Sequence, residues 1–392
     1  MRGMNSACID LIYLDPPFNS NANYAAPVGS KAAGAEFKDT WGLDDLKTAW
    51  HALIQHEHPE LYQYLKAVLA MNGKSMMAYL IYMAVRIMEM KRLLKPTGSI
   101  YLHCDPYASH YLKLLLDCIL GRKHFRNEIV WCYSGPSQAR NWFPRQHDVL
   151  LFYAMQTKQP FYRENIRIPH KNGLHNAGGT MYGKDYGSVD TTMLECKGKL
   201  CPDWWSDIGS GAHISSFERV GYPTQKPIAL LERVIKASSS EGDVVLDPFC
   251  GCATACIAAE MLGRQWTGID ISPKTVELVQ LRMHREVGLF YQGEHRMEPP
   301  LRTDIEPIRR YNHPENKQHL YGKQSGNCNG CHDHFEARHL EIDHIVPRSK
   351  AGTDHLENLQ LLCGSCNRIK GNRSQEYLSA ALNHSSLVKL VA

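Results

Sequence analysis

No stretch of the chain is long and apolar enough to cross a bilayer: the most apolar long segment, Met76 to Met90, is broken by Arg86 and Glu89, and it falls short of the ~20 residues a spanning helix needs. A signal-peptide layout is missing from the first residues, MRGMNSACIDLIYLDPP. Strong charge of either sign is missing too. The 44 Lys and Arg against 40 Asp and Glu leave a net +4, compatible with a nucleic-acid partner but equally with many ordinary enzymes. There is no internal repeat and no low-complexity tract. What is present is a chain of 392 residues, 43% hydrophobic, long enough for two or three domains around a substantial core. Its 13 cysteines, in a long chain whose first residues lack a signal-peptide layout, read as reduced thiols of a cytoplasmic protein with no membrane attachment.

Ile9 to Leu14 is a short apolar run that delivers Asp15 into the rigid turn Asp15-Pro16-Pro17-Phe18. A helix is expected from Ser75 to Leu94, a turn at Lys95-Pro96-Thr97-Gly98 and a buried strand from Ser99 to His103. Strands alternating with helices indicate an α/β sheet. From about Ser137 to Trp205 the rhythm breaks down into Gly, Asn, Tyr, Arg and Trp. It returns with a helix after Pro227, a strand at Val244–Leu246, a helix from Thr254 to Leu262 and a strand at Trp266–Ile269, which together make a βαβ unit.

In Val244-Val245-Leu246-Asp247-Pro248-Phe249-Cys250-Gly251-Cys252-Ala253-Thr254 a strand enters a tight small-residue turn and then a helix. Such a turn lets backbone approach a ligand closely at the carboxyl edge of a sheet. Asp270 ends the next strand, about twenty residues on, where a carboxylate can accept hydrogen bonds from both ribose hydroxyls. A plain strand-turn-helix is the bland alternative. A phosphate loop and a dinucleotide fingerprint are disfavoured here, because the segment has neither the Gly-Lys-Ser/Thr ending nor Gly-x-Gly-x-x-Gly.

Asp15-Pro16-Pro17-Phe18 offers a carboxylate and a backbone carbonyl that can accept from an exocyclic NH2, with an aromatic ring to stack on a flipped base. Taken in order, Asp15-Pro16-Pro17-Phe18, Tyr222-Pro223-Thr224-Gln225-Lys226-Pro227 and Asp247-Pro248-Phe249-Cys250-Gly251 closely resemble the β-class amino-methyltransferases of DNA. The resemblance covers roughly residues 1 to 290. It implies a Rossmann-like sheet with an inserted target-recognition region, S-adenosylmethionine as methyl donor, double-stranded DNA as partner, and adenine N6 favoured over cytosine N4 by the Asp-Pro-Pro-Phe form. By the same resemblance Asp15, Pro16, Pro17 and Phe18 hold the target base, Asp247, Phe249, Gly251 and Asp270 hold the cofactor, and Thr224 and Lys226 lie near its methionine end. Two departures stand out. Cys252-Ala253 replaces a common second glycine. Members also usually carry some tens of residues before the catalytic strand, including an acidic motif near the cofactor's adenine, so either the start is shortened or another segment supplies that wall. Between the motifs, Trp131, Trp142, Trp204 and Trp205, with Arg140, Arg145, Arg163 and Arg167, offer stacking and phosphate contacts; buried aromatics and solvated arginines are the alternative.

Cys328-x2-Cys331 and Cys363-x2-Cys366 are two knuckles about thirty residues apart that can supply four thiolates to a structural Zn2+. His332 and His334 beside them read as spectators. Between and after them lie Leu340-Glu341-Ile342-Asp343-His344-Ile345-Val346-Pro347 and Asn358-Leu359-Gln360-Leu361-Leu362-Cys363 running on to Asn367. This resembles the HNH endonucleases over roughly residues 320 to 375 and implies a small ββα-metal zinc domain. The resemblance makes His344 the general base, Asp343 and Asn367 the ligands of Mg2+ or a similar hard cation, and Asn358 the brace of the loop carrying His344. One such site breaks one strand, so a homodimer would be needed to cut both.

The expected organisation is a methyltransferase catalytic half at 1–136, a target-recognition region at 137–205, a cofactor-binding half at 206–292, a linker at 293–318 and an HNH domain at 319–392. The leading expectation is an enzyme that methylates and cuts DNA, in a bacterial or phage restriction-modification setting. A methyltransferase with a non-catalytic zinc DNA-binding domain, or a nuclease with an inactive methyltransferase-fold reader, are the alternatives.

Overall fold

The computed structural model describes residues 1–18, 22–26, 30, 32, 36–39, 54, 58–135, 139–169, 180–181, 184–185, 198–210, 214–288, 291, 293–296, 300–304, 309–350 and 352–389. Residues 137–138, 170–179, 182–183 and 186–197 of the expected target-recognition region lie outside them. The chain divides into two compact units, Met1–Arg302 and Thr303–Ala392.

The first unit is built on a seven-stranded sheet. Its strands are β1 (Ile9–Leu14), β4 (Leu94–Cys104), β5 (Phe125–Cys132), β6 (His147–Ala154), β9 (Trp204–Trp205), β10 (Val244–Asp247) and β11 (Gln265–Gly268). Two short antiparallel pairs lie outside this sheet, β2 (Ala22–Ala25) with β3 (Glu36–Asp39) and β7 (Thr180–Met181) with β8 (Lys184–Asp185). Across the sheet the order is β11-β10-β1-β4-β6-β5-β9. The strands β11, β10, β1 and β4 are parallel, and β6 runs against both β4 and β5.

Both faces of the sheet are covered, which is why Leu11–Leu14 of β1 and Ile100–Leu102 of β4 form continuous apolar runs. Ile12, Leu14, Ile100 and Leu102 pack under α1 (Pro59–Asn72), α2 (Lys74–Leu93) and α3 (Pro106–Leu120). Their strand neighbours Leu11, Tyr13 and Tyr101 point to the other face, against α4 (Ile228–Ser238) and α5 (Thr254–Met261). Asp105 caps α3 by accepting from the Ala108 N–H at 2.7 Å, with Pro106 pre-set for the first turn; such a cap contributes about 1 kcal/mol. The helix α6 (Pro273–Glu286) follows β11.

One local expectation is corrected. The helix does stop at Leu93, but Lys95–Gly98 forms no turn: β4 begins directly at Leu94. A break in register between Ile9 and Leu11 of β1 lets Leu94 pair with Ile9, and Pro96 and Thr97 face solvent, where proline's missing N–H costs no ladder bond.

The second unit pairs β12 (Leu340–His344) with β13 (Leu359–Cys363) in an antiparallel ladder that runs into α8 (Gly364–Lys370) and α9 (Gln375–Lys389). The helix α7 (Pro314–Lys323) starts inside the stretch expected as a linker, and its Leu320 joins Leu340, Leu361, Leu362 and Leu378 in the core of this unit. Cys328, Cys363 and Cys366 belong to the same small core, as expected where a domain this size needs a staple.

Candidate active sites

The carboxyl ends of β1 and β10 meet at the point where the strand order reverses, β1 leading outward to β4 and β10 to β11. In an open α/β sheet that crevice is where ligands bind. Asp15 leaves β1 there, with Pro16 buried and Pro17 and Phe18 half-buried. Lys226 donates to Oδ2 of Asp15 at 2.5 Å, and its ammonium also sits 5.4 Å from the Phe18 ring centre. The other oxygen, Oδ1, is buried and has no hydrogen-bond partner among the described residues. A buried acceptor left unsatisfied costs about 1–3 kcal/mol, so the carboxylate is pinned on one side and open on the other.

Behind Asp15 lies a network that sequence reasoning missed. His103, at the end of β4, is fully buried; Nδ1 meets the Tyr13 hydroxyl at 2.8 Å and Nε2 meets Asp148 Oδ2 at 3.2 Å. Tyr133 donates to the other Asp148 oxygen at 3.1 Å, and the Phe18 ring lies 6.1 Å from the imidazole. Burial alone would raise the Asp148 carboxyl, but the hydrogen bond and charge of His103, with help from Lys226, outweigh it and hold the group below its ordinary value. The signal was available as two polar residues inside apolar runs, Leu102-His103-Cys104 and His147-Asp148-Val149, but their spacing from Asp15 says nothing about contact.

After β10 the chain makes the tight turn expected from its small residues. Gly251 has φ +47°, and a Cβ there would stand 2.9 Å from the Tyr222 ring, so no other residue fits without displacing that ring. Ala253 is also left-handed at φ 60°. The carboxylate of Asp270 ties the turn together by accepting from the Gly251 N–H at 2.9 Å and the Ser272 N–H at 2.8 Å. Asp247 is buried and accepts from the Phe249 N–H at 3.1 Å; burial dominates and pushes its carboxyl up to about 8. Ile271, next to Asp270, is 97% exposed, an apolar surface beside the turn. Thr224, exposed and strained at φ 62°, offers its carbonyl to Lys226 at 3.3 Å. The structure therefore brings Lys226 onto Asp15, joining a residue read toward the cofactor to the target-base motif.

The four tryptophans divide. Trp131 and Trp205 are core residues whose indole N–H groups are satisfied by the carbonyls of Ile208 and Pro202. Trp204 is half exposed, near the Lys199 ammonium. Trp142 is 67% exposed and its neighbour Phe143 is 94% exposed. Arg163 and Arg167 both pair with Glu164.

In the second unit Asp343, His344 and Asn367 line one cleft of about 270 Å³ together with Tyr311, Arg348 and Asn372. Asp343 Oδ2 accepts from Gln360 and pairs with the fully buried Lys370, both at 2.9 Å; Lys370 also donates to the His344 carbonyl at 2.7 Å. Asn367 donates to Glu341 at 2.5 Å. Asn358 bonds the Val346 N–H and carbonyl and the Thr353 carbonyl, spanning the loop that follows His344. A residue not singled out from the sequence, Asp354, meets His344 Nε2 at 2.8 Å and is itself gripped by both nitrogens of the Arg348 fork. Arg348 is the main cause that holds the Asp354 carboxyl down to about 2.

The sulfurs of Cys328, Cys331, Cys363 and Cys366 lie within 4.8 Å of one another and could hold a metal ion. Gly330 and Cys363 donate backbone N–H groups to Cys328 Sγ at 3.3 and 3.2 Å. Burial opposes ionisation there, but these donors prevail and the Cys328 thiol is lowered, whereas burial pushes Cys331 up to about 11. Backbone donors aimed at sulfur favour thiolate, the form that ligates zinc.

Comparison with known proteins follows the same division. A DNA methylase family of the N6/N4 type matches residues 9–281, and an HNH endonuclease family matches residues 328–373. The type II methyltransferase M.HpaI of Haemophilus parainfluenzae is 31% identical over 76% of this chain and 75% of its own length. M.BamHI of Bacillus amyloliquefaciens is 33% identical over 74% of this chain, which spans 57% of that longer relative. A solved DNA modification methylase of Thermus thermophilus, complexed with S-adenosyl-L-methionine, is 19% identical with a TM-score of 0.40, covering 78% of this chain and 94% of that one.

Proposed function

The chain belongs to the N6/N4 DNA methylase family and carries a C-terminal HNH domain, and from that premise we propose that it methylates the exocyclic amine of a base in double-stranded DNA, adenine N6 in preference to cytosine N4, and cuts DNA phosphodiesters with its second unit. The observation that carries the methylation reading is Asp15: Oδ2 is fixed by Lys226 and Oδ1 is buried and unpartnered. An amino group entering the crevice would satisfy Oδ1, and Phe18 offers its ring to the base plane. Orientation of the amine lone pair is then the work of this site, with no covalent step by the protein.

The turn after β10 fits a cofactor of the S-adenosylmethionine class. Gly251 permits close backbone approach, Asp270 offers its remaining lone pairs to ribose hydroxyls, Asp247 and Phe249 line the turn, and Thr224 stands near the methionine end. Bound there, the cofactor supplies an electrophilic methyl group. Ile271, exposed beside Asp270, offers an apolar face to its purine.

For the nuclease, His344 takes the proton from water, Asp343 and Asn367 present oxygens to Mg2+ or a similar hard cation, and Asn358 holds the loop. The four cysteines hold one structural Zn2+. The fusion of the two activities fits a restriction-modification role, acting inside the cell, with two chains needed to break both strands.

One experiment tests the whole reading. Purified protein is incubated with unmethylated DNA of mixed sequence and Mg2+, with and without S-adenosylmethionine, and methylated bases and new ends are mapped by sequencing. Methyl-adenine at one sequence context and metal-dependent ends are expected. Methylation without ends would reduce the second unit to DNA binding, and ends without methylation would make the first unit a reader.

A further inference from the structure

Strand β6 runs against β4 with Cys104 opposite Val149, and β5 runs against β6 with Cys132 opposite His147. The connection between β5 and β6 therefore starts and ends at the edge of the sheet where β1 delivers Asp15. Its base is closed: the Tyr133 N–H donates to the Gln146 carbonyl at 3.0 Å and the Gln146 side chain donates to the Gly135 carbonyl at 2.7 Å. Beyond that clasp the returning arm reads Ala139-Arg140-Asn141-Trp142-Phe143-Pro144-Arg145.

Every residue from Arg140 to Arg145 is exposed, Phe143 almost completely. Two adjacent bare aromatic rings are costly in water and mark an interaction surface. The arm contains no acidic residue, and neither Arg140 nor Arg145 has an ion-pair partner among the described residues. Two unpaired cations flanking two rings complement a polyanion with flat, stackable groups, which is nucleic acid. An apolar protein partner would leave both guanidinium groups unmatched.

From this placement we infer that Trp142 and Phe143 form a wedge that enters duplex DNA and fills the stack vacated by the extruded base, while Arg140 and Arg145 hold the flanking phosphates. The inference rests on the DNA-methylation reading, which requires a base to leave the helix to reach Asp15. Extrusion opens a gap that costs stacking energy, and an inserted ring recovers part of it. A base in single-stranded DNA is already unstacked. The wedge is therefore needed on duplex and dispensable on single strands, a difference that a contact shared by both forms would not produce.

The test compares wild-type protein with Phe143→Ala and with the double variant Trp142→Ala/Phe143→Ala, on mixed-sequence DNA offered as duplex and as heat-denatured strands. Truncating bare side chains should leave the fold intact. Methylation of duplex is expected to fall at least tenfold and that of single strands by less than threefold. In parallel, a photoreactive benzophenone side chain replaces Phe143, or Met261 at the opposite sheet edge as a control; only the probe at 143 should cross-link to duplex. Equal losses on both forms, or a methylating protein that fails to cross-link at 143, would overturn the wedge while leaving the methylation reading intact. Cross-linking at 143 by a protein that methylates neither form would keep the surface and overturn the methylation reading. No cross-link and no methylation would overturn both.

Discussion

The ammonium of Lys226 reaches the carboxylate of Asp15 across 211 residues of sequence and donates to it at 2.5 Å. One residue ends the first strand of the sheet and the other precedes α4, so the pair ties together the two halves of the methylase unit at the crevice. Its consequence is directional: Oδ2 is engaged by Lys226, and Oδ1 is the oxygen left without a partner among the described residues.

Lys226→Met should therefore depress the methylation rate by roughly 100-fold through lost orientation, while S-adenosylmethionine binding by calorimetry changes little. Lys226→Arg should recover part of the rate. Removing one partner also strands a largely buried charge, at a cost of up to about 3–5 kcal/mol. The double variant Asp15→Asn/Lys226→Met should regain thermal stability without regaining activity. A Lys226→Met enzyme at near wild-type rate would remove the ion pair from the mechanism.

Asp247 should impose a pH dependence on the stability of the cofactor-free protein. Burial raises its carboxyl to about 8 in the fold, against about 3.9 when unfolded. Between those values the folded state holds more protons than the unfolded chain. Stability from this group is thus complete below about pH 4 and is lost as pH rises toward about 8. Asp247→Asn removes that slope. The melting temperature of the variant relative to wild type should climb from pH 5 to pH 8 and then level off; a difference that stays constant with pH would show that Asp247 titrates as an ordinary carboxylate.

Much of this architecture is legible in the sequence because periodicity and turn chemistry are local. The apolar run at Ile9–Leu14 and the small-residue turn after Leu246 announce a strand and a close backbone approach, and both appear. Partners are a different matter. Nothing local to Lys226 points to Asp15, and nothing local to His344 selects Asp354 over other nearby acids. Composition also cannot separate Trp131, buried with its N–H on the Ile208 carbonyl, from Trp142, which stands in solvent. The turn expected at Lys95–Gly98 fails for a related reason: proline and glycine signals mark where a helix must stop, but pairing with Ile9 decides that a strand follows at once.

The cysteine cluster should bind one zinc per chain and support only the second unit. Elemental analysis is expected to give about one zinc equivalent, lost in Cys363→Ser. Because Cys328, Cys363 and Cys366 are also part of that unit's small core, metal loss should expose residues 303–392 to proteolysis while residues 1–302 stay folded and active in methylation. A stable, zinc-free second unit would contradict the assignment.

Asp354 bears on the direction in which His344 works. Arg348 holds the Asp354 carboxyl down to about 2, so it stays ionised throughout any working pH. An ionised carboxylate can only accept, and at 2.8 Å it accepts from Nε2 of His344, which leaves Nδ1 as the nitrogen able to take a proton from water. Asp354→Ala frees the ring and its tautomer, and DNA cleavage should fall by roughly 10- to 100-fold, the loss typical when the hydrogen-bond partner of a metal-ligating imidazole is removed. Asp354→Glu should restore part of the rate, and His344→Ala should abolish cleavage so that adding Asp354→Ala makes it no worse. Zinc content and methylation should be unchanged in all four variants. Nicking of supercoiled DNA in Mg2+ supplies the measurement, and undiminished nicking by Asp354→Ala would remove Asp354 from the cleavage mechanism.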